Sequence, residues 1–199
     1  TPNNKTEDKS KNGVTRKEAE EAVKTLIKWT GDNPNREGLK DTPKRVINAY
    51  DEFFSGYNES PEKILSKTFD DVNGYEDIVM LKDITLHSHC EHHMVPIIGK
   101  VHLAYLPIKR VVGISKLARV VDIFAKRLQT QETMTQQIGE TIQKSLDAKG
   151  VAIYVEALHQ CMTTRGVKKE GVSTITTCFL GEFKNNEKME NKFLNFIKN

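Results

Sequence analysis

Five of the six histidines fall between His87 and His102, and one of the three cysteines stands among them, in the run His87-Ser88-His89-Cys90-Glu91-His92-His93. Cys and His together are the ligands that a borderline-soft ion such as zinc prefers. Cys90 and His93 are three residues apart, and within a turn that spacing lets both side chains reach one ion. The sixth histidine, His159, stands two residues before Cys161. On a strand that spacing puts both on one face. The chain thus carries two separated half-sites that a fold can join. Cys90, His93 and Cys161 would give two thiolates and one imidazole and leave a fourth position open. Three protein ligands plus water is the catalytic arrangement of zinc, four the structural one. His92 and His159 are left over, and an imidazole can move a proton or simply orient a ligand.

Each residue has a blander reading. A single cysteine is more often a small buried apolar residue, and Cys178, on a Thr-rich stretch, is read so. A lone His159 would be an ordinary core histidine. Other zinc patterns fail. The helical His-Glu-x-x-His motif is absent. His89-Cys90-Glu91 matches the first half of the zinc deaminase signature, but its Pro-Cys-x-x-Cys partner is missing.

A second set of residues points to an anion. Ser115-Lys116-Leu117-Ala118-Arg119 opens an expected helix with Ser115 as its cap. Lys116 and Arg119 lie side by side near its start, where backbone N–H groups and the helix dipole already favour negative charge. Arg165, just past Cys161, is a third cation. The alternative for Lys116 and Arg119 is plain solvated surface. Glu132 follows Gln131 at another helix start, where a carboxylate is usually a cap. Were the ligand a purine, a glutamate could accept two parallel N–H bonds from guanine.

Elements that would position these residues can be read along the chain. Residues 1–13 read as a flexible polar tail and 14–70 as a helical region. A capping box, Thr15-Arg16-Lys17-Glu18, starts the first helix, Thr42-Pro43 the second and Ser60-Pro61 a short third. From residue 71 to 183 the order is β-β-α-α-β-β. Ile78 to Leu86 is a strand running into the His/Cys run, and Gly99 to Leu106 alternates with Val101, Leu103 and Tyr105 on one face. Leu117, Val120, Val121, Phe124 and Leu128 form one helical stripe, and Met134, Ile138, Ile142 and Leu146 another. Val151 to Cys161 and Ser173 to Phe183 are the last strands. Residues 184–199 read as a tail whose Phe193, Leu194, Phe196 and Ile197 either dock or fray. The fold class is therefore α+β, with a four-stranded antiparallel sheet covered by helices on one face. Open edges and a bare face favour lateral association.

Composition narrows the function classes. The net charge is +3, with no basic stripe carrying interleaved aromatics, which argues against nucleic acid. Three cysteines, an odd number clustered with histidines, argue against a disulfide framework. No apolar run reaches the roughly 20 residues that span a membrane. Reduced thiols and a polar start without a signal peptide's apolar core fit a cytoplasmic protein.

Taken together, these residues closely resemble GTP cyclohydrolase I, a pterin-forming family of the tunnelling-fold group. The resemblance rests on Arg36-Glu37-Gly38-Leu39 with Asp41-Thr42-Pro43, then His89 to Pro96, Gly99 to Pro107, Gly113 to Arg119, Gln129 to Gln137 and His159 to Gly166, within a match from Val14 to Phe183. It implies that Cys90, His93 and Cys161 hold zinc, and that a zinc-activated water attacks C8 of GTP, with loss of formate. It further implies that His92 and His159 assist as proton donors or acceptors, that Glu132 with Gln131 reads guanine, and that Ser115, Lys116, Arg119 and Arg165 bind the triphosphate. The product would be 7,8-dihydroneopterin triphosphate, at the first step of pterin and tetrahydrofolate biosynthesis. Members are toroidal homodecamers with active sites at subunit interfaces. Two other readings remain at this point: a tunnelling-fold enzyme acting on another pterin or deazapurine, and a non-catalytic zinc-binding scaffold. The first lacks this combination of motifs. The second predicts a closed four-ligand site with no need for Lys116, Arg119 or Glu132.

Overall fold

A computed structural model describes residues 11–69, 75–109 and 111–198. The expected tail lies outside these residues as far as residue 10, as does the expected boundary between residues 70 and 71. The chain forms two compact units, Thr1–Phe53 and Phe54–Asn199.

In the first unit, helix α1 (Arg16–Trp29) begins at the capping box, where Thr15 accepts from the Glu18 amide and the Glu18 carboxylate accepts from the Thr15 amide. Helix α2 (Thr42–Phe53) packs against α1. No residue of α1 is buried. Polar contacts replace a core here, for Arg16 reaches Glu20, Asn48 and Asp51.

The second unit opens with α3 (Pro61–Leu65), capped by Ser60. Strand β1 (Thr68–Phe69) follows, and then β2 (Val79–Cys90) and β3 (Pro96–Leu106) form a hairpin. After β4 (Val111–Val112) come α4 (Ile114–Ala125), β5 (Leu128–Gln129) and α5 (Gln131–Leu146). The chain continues through β6 (Gly150–His159), the one-turn helix α6 (Gln160–Thr163), β7 (Ser173–Gly181), α7 (Glu182–Asn185) and α8 (Glu187–Lys198). The sheet order is β5-β2-β3-β6-β7, and β1 pairs with β4 separately. Among the described residues no helix is long and apolar enough to cross a membrane.

The α+β class and the β-β-α-α-β-β order hold, but the sheet is not four antiparallel strands. A fifth strand, β5, runs parallel to the end of β2, pairing His89 with Leu128 and Cys90 with Gln129. The sheet is therefore mixed. Leu128, expected on the α4 stripe, belongs to this strand because α4 stops at Ala125. Two residues are too few to show a period-2 pattern.

The core sits where expected. Val101, Leu103 and Tyr105 of β3 meet Leu117, Val120, Val121 and Phe124 of α4 and Met134, Ile138, Ile142 and Leu146 of α5. The opposite face is not wholly bare. Phe193 of α8 is fully buried with Phe183, Ala104, Leu106 and Ala152, and Met189, Leu194 and Ile197 pack beside it. The residues read as a tail thus form an amphipathic helix with its apolar stripe on the sheet. Further along this face Ile98, Leu158 and Ile175 remain 43%, 39% and 53% exposed.

Candidate active site

Sheet register builds the metal half-site. Cys90 ends β2, and the turn back to β3 is closed by Met94 N–H donating to Cys90 O at 2.8 Å and Cys90 N–H donating to Val95 O at 2.9 Å. His93 sits in that turn. His89 pairs with Pro96, and Ile97 pairs with His159 at the end of β6. The strands therefore deliver the chain after His159 to the side of the Cys90 turn. Cys161 follows on α6 and not on β6, so it does not share a strand face with His159 as the spacing suggests. The strand ends at His159 because the next residues turn helical, with Thr163 donating to the His159 carbonyl.

The ligand atoms of Cys90, His93 and Cys161 lie within 4.8 Å of one another. Cys90 is buried and His93 exposed, so the group has a dry side and an open side. Burial, and then the neighbouring Cys90 thiol, push the Cys161 thiol up. Two thiols this close resist ionising together unless a counter-charge is present, and a divalent cation supplies it in place of both protons. Two sulfurs and an imidazole with a fourth side open fit zinc.

The imidazoles and cations around this centre fall into distinct positions. Nδ1 of His92 lies 3.9 Å from Cys90 Sγ, and its side chain is 66% exposed. Arg165 donates from Nη1 to His93 Nε2 at 2.8 Å. His159 is half-buried, and burial holds it below the usual imidazole range, with Glu132 pulling weakly the other way. His159 Nε2 and Gln131 Oε1 are 2.7 Å apart. Glu132 stands exposed in the first turn of α5, whose cap is Thr130.

The side chain of Gln131 is fully engaged within the chain. It is 1% exposed, and its amide nitrogen points to the carbonyls of Val155 and Thr174 and the hydroxyl of Thr176. With Oε1 on His159, the side chain has no donor left for a base.

Ser115, Lys116 and Arg119 lie elsewhere in the same chain. Ser115 is not the cap of α4; that position is Gly113, without a side-chain bond, and Ser115 is the second helical residue. Lys116 donates to the Lys67 carbonyl. The strand before this helix is tied to the far end of β3, Val112 N–H donating to the Tyr105 hydroxyl at 3.4 Å. Tyr105 is roughly 30 Å of strand from Pro96, the β3 residue beside the Cys90 turn. Helix α4 then runs back toward Gln129, whose amide donates to the Phe124 carbonyl. About 15 Å of helix separates Ser115 from Ala125 at its other end. The structure therefore joins Cys90, His93, Cys161, His92, His159 and Arg165, with Gln131 and Glu132 beside His159. It keeps Ser115, Lys116 and Arg119 apart from them.

Residues 19–198 match the family model described as GTP cyclohydrolase I. The chain belongs to the GTP cyclohydrolase I family. GTP cyclohydrolase 1 of Pelagibacter ubique is 59% identical over 184 residues, 92% of this chain and 91% of its own. GTP cyclohydrolase 1 of Hyphomonas neptunium is 64% identical over 178 residues, 89% of this chain and 86% of its own. Among solved structures, the archaeosine synthase QueF-Like in its apo form aligns with 54% of this chain and 96% of its own, at 19% identity and a TM-score of 0.45. That likeness is too slight to argue from. Sequence reading assigned no role to Thr135 and Thr176, whose hydroxyls are 2.7 Å apart beside Gln131. Their only signal was position: Thr135 follows Gln131 by one helical turn and donates to its carbonyl.

Proposed function

We propose that this chain opens the imidazole ring of GTP, releases C8 as formate and recyclises the remainder to 7,8-dihydroneopterin triphosphate. The enzyme class follows from family membership, and the residue roles are our reading of the geometry. Cys90, His93 and Cys161 would hold zinc. When bound, zinc supplies a Lewis acid that lets water ionise near neutral pH. His159 exchanges a proton at Nδ1, because its Nε2 faces Gln131. His92, exposed beside Cys90, is the second proton carrier. Glu132 accepts the N1 and amino protons of guanine, and Arg165 is the nearest cation for the phosphates.

The single observation that carries this reading is the cluster of Cys90, His93 and Cys161 within 4.8 Å, open on one side and flanked by two further imidazoles. A structural zinc scaffold would close that side and has no use for Glu132.

Lys116, Arg119 and Ser115 enter the site from a second copy of the chain. Their place near the start of α4, about 15 Å of helix away from the end that runs toward Gln129, supports this. The long edge strand β7 and the β2 edge offer the surfaces for joining copies, and a toroidal decamer is the closed assembly we propose. Subunit complementation tests the shared site. Cys161→Ser and Lys116→Ala variants, each inactive alone, are dissociated, mixed in equal amounts and reassembled. Random pairing at a two-copy site restores about a quarter of the activity, read as fluorescence of the oxidised pterin. Mixtures as inactive as the parents would contradict the shared site.

A further inference from the structure

We infer that Gln131 is a positioning residue that fixes the tautomer and the ring orientation of His159. This deepens the reading of His159 as a proton carrier and rests on it. The orientation of the Gln131 amide follows from its partners. Its nitrogen sits 3.3 Å from the Val155 carbonyl, 2.9 Å from the Thr174 carbonyl and 3.1 Å from the Thr176 hydroxyl. A carbonyl oxygen only accepts, so the end facing Val155 and Thr174 must be the NH2 group. The other end, Oε1, then faces His159 Nε2 at 2.7 Å and can only accept as well. His159 must therefore carry its proton on Nε2. In the neutral ring Nδ1 is left as the base, so one nitrogen is held and the other works.

The hold is rigid because it is tied to three elements at once. Gln131 is the first residue of α5, and its amide bonds cross to the backbone of β6 and β7. Thr135, one turn on, donates to the Gln131 carbonyl at 2.7 Å. The same hydroxyl lies 2.7 Å from Thr176, which also receives the Gln131 amide. A hydrogen-bonded network whose centre, Gln131 and Thr135, is buried favours one geometry. No base-reading duty remains for this side chain, so guanine discrimination falls to Glu132.

Steady-state kinetics of zinc-loaded Gln131→Met, Thr176→Val, His159→Ala and the Gln131→Met/His159→Ala double variant test this. Loss of a partner that orients a working histidine typically costs roughly 10–100-fold in activity. The expected result for Gln131→Met is a kcat loss of that order, with KM for GTP and the preference for GTP over ITP unchanged. Thr176→Val should lower kcat in the same sense but less. The double variant should be no slower than His159→Ala, since the glutamine acts only through that ring. A raised KM or a weakened preference for GTP over ITP in Gln131→Met would make it a base reader and overturn the inference, as would normal kcat in both Gln131→Met and Thr176→Val. Full activity of His159→Ala would instead overturn the proton-carrier reading, so the two failures are distinct.

Discussion

Gly139 on α5 faces Cys178 on β7 so closely that a single methyl group tests the packing of helix on sheet. A Cβ built at Gly139 would lie 2.7 Å from Cys178 Sγ, but 3.5 Å from both Cys178 Cβ and Ile153 Cγ1. The last two are ordinary contacts, so the sulfur alone is in the way. Two opposing effects set the result of Gly139→Ala. Replacing a mid-helix glycine by alanine gains about 0.5–1 kcal/mol. Forcing a methyl into a filled core costs about 1–3 kcal/mol. Cys178 is 4% exposed, so its thiol has little room to swing aside and the cost should win by about 1 kcal/mol. In a Cys178→Ala background the sulfur is gone, and the same substitution keeps only its gain of about 0.5–1 kcal/mol. The two sites should therefore couple by about 1–3 kcal/mol. At this chain length about 1 kcal/mol moves the thermal midpoint by roughly 2–4 °C. Unfolding of the four proteins at one fixed concentration, because association also shifts the midpoint, is the assay. Gly139→Ala should lower the midpoint in the wild-type chain and raise it in Cys178→Ala. A shift of the same sign and size in both backgrounds would refute the packing argument.

Cys161→Ser should lose bound zinc along with activity, measured as metal per chain after desalting; a variant that keeps full zinc would remove Cys161 from the ligand set. Glu132→Ala should weaken GTP while leaving inorganic triphosphate binding unchanged, and an intact preference for guanine would refute its assignment. Phe193→Ala should destabilise the chain by about 3–5 kcal/mol, as for other fully buried aromatics. A loss below about 1 kcal/mol in chemical unfolding would mean that α8 does not hold the sheet face.

What the sequence disclosed was local, and what it concealed depends on distant partners. The Thr15–Glu18 capping box, Ser60 before Pro61, and the alternation of Val101, Leu103 and Tyr105 depend on near neighbours, and all three are in the structure as read. Cys90, His93 and Cys161 were legible because their chemistry is rare and their spacing tight. Strand β5 was not, since its two residues are a strand only by virtue of the β2 backbone alongside. The turn that carries Cys161 off β6 has no pattern of its own in four residues. Phe193, Leu194, Phe196 and Ile197 read only as a tail that docks or frays, because the sheet face that receives α8 lies far away in the sequence. The partners of the Gln131 side chain were hidden for the same reason: Val155, Thr174 and Thr176 lie 24, 43 and 45 residues further along the chain. The distance between Lys116 and Cys90 is a property of topology, visible only when β3 and α4 are laid out.

The most direct test of the proposed chemistry follows one carbon atom. GTP labelled at C8 is incubated with the oligomer loaded with zinc, with the same protein stripped by a chelator, and with the stripped protein after zinc is restored. Labelled formate and a pterin product should appear in equal amounts with the loaded and restored protein and be absent from the stripped one. Label retained in the nucleotide by folded, zinc-loaded oligomer would contradict the reading of Cys90, His93, Cys161 and His159 as the centre of a GTP ring-opening enzyme.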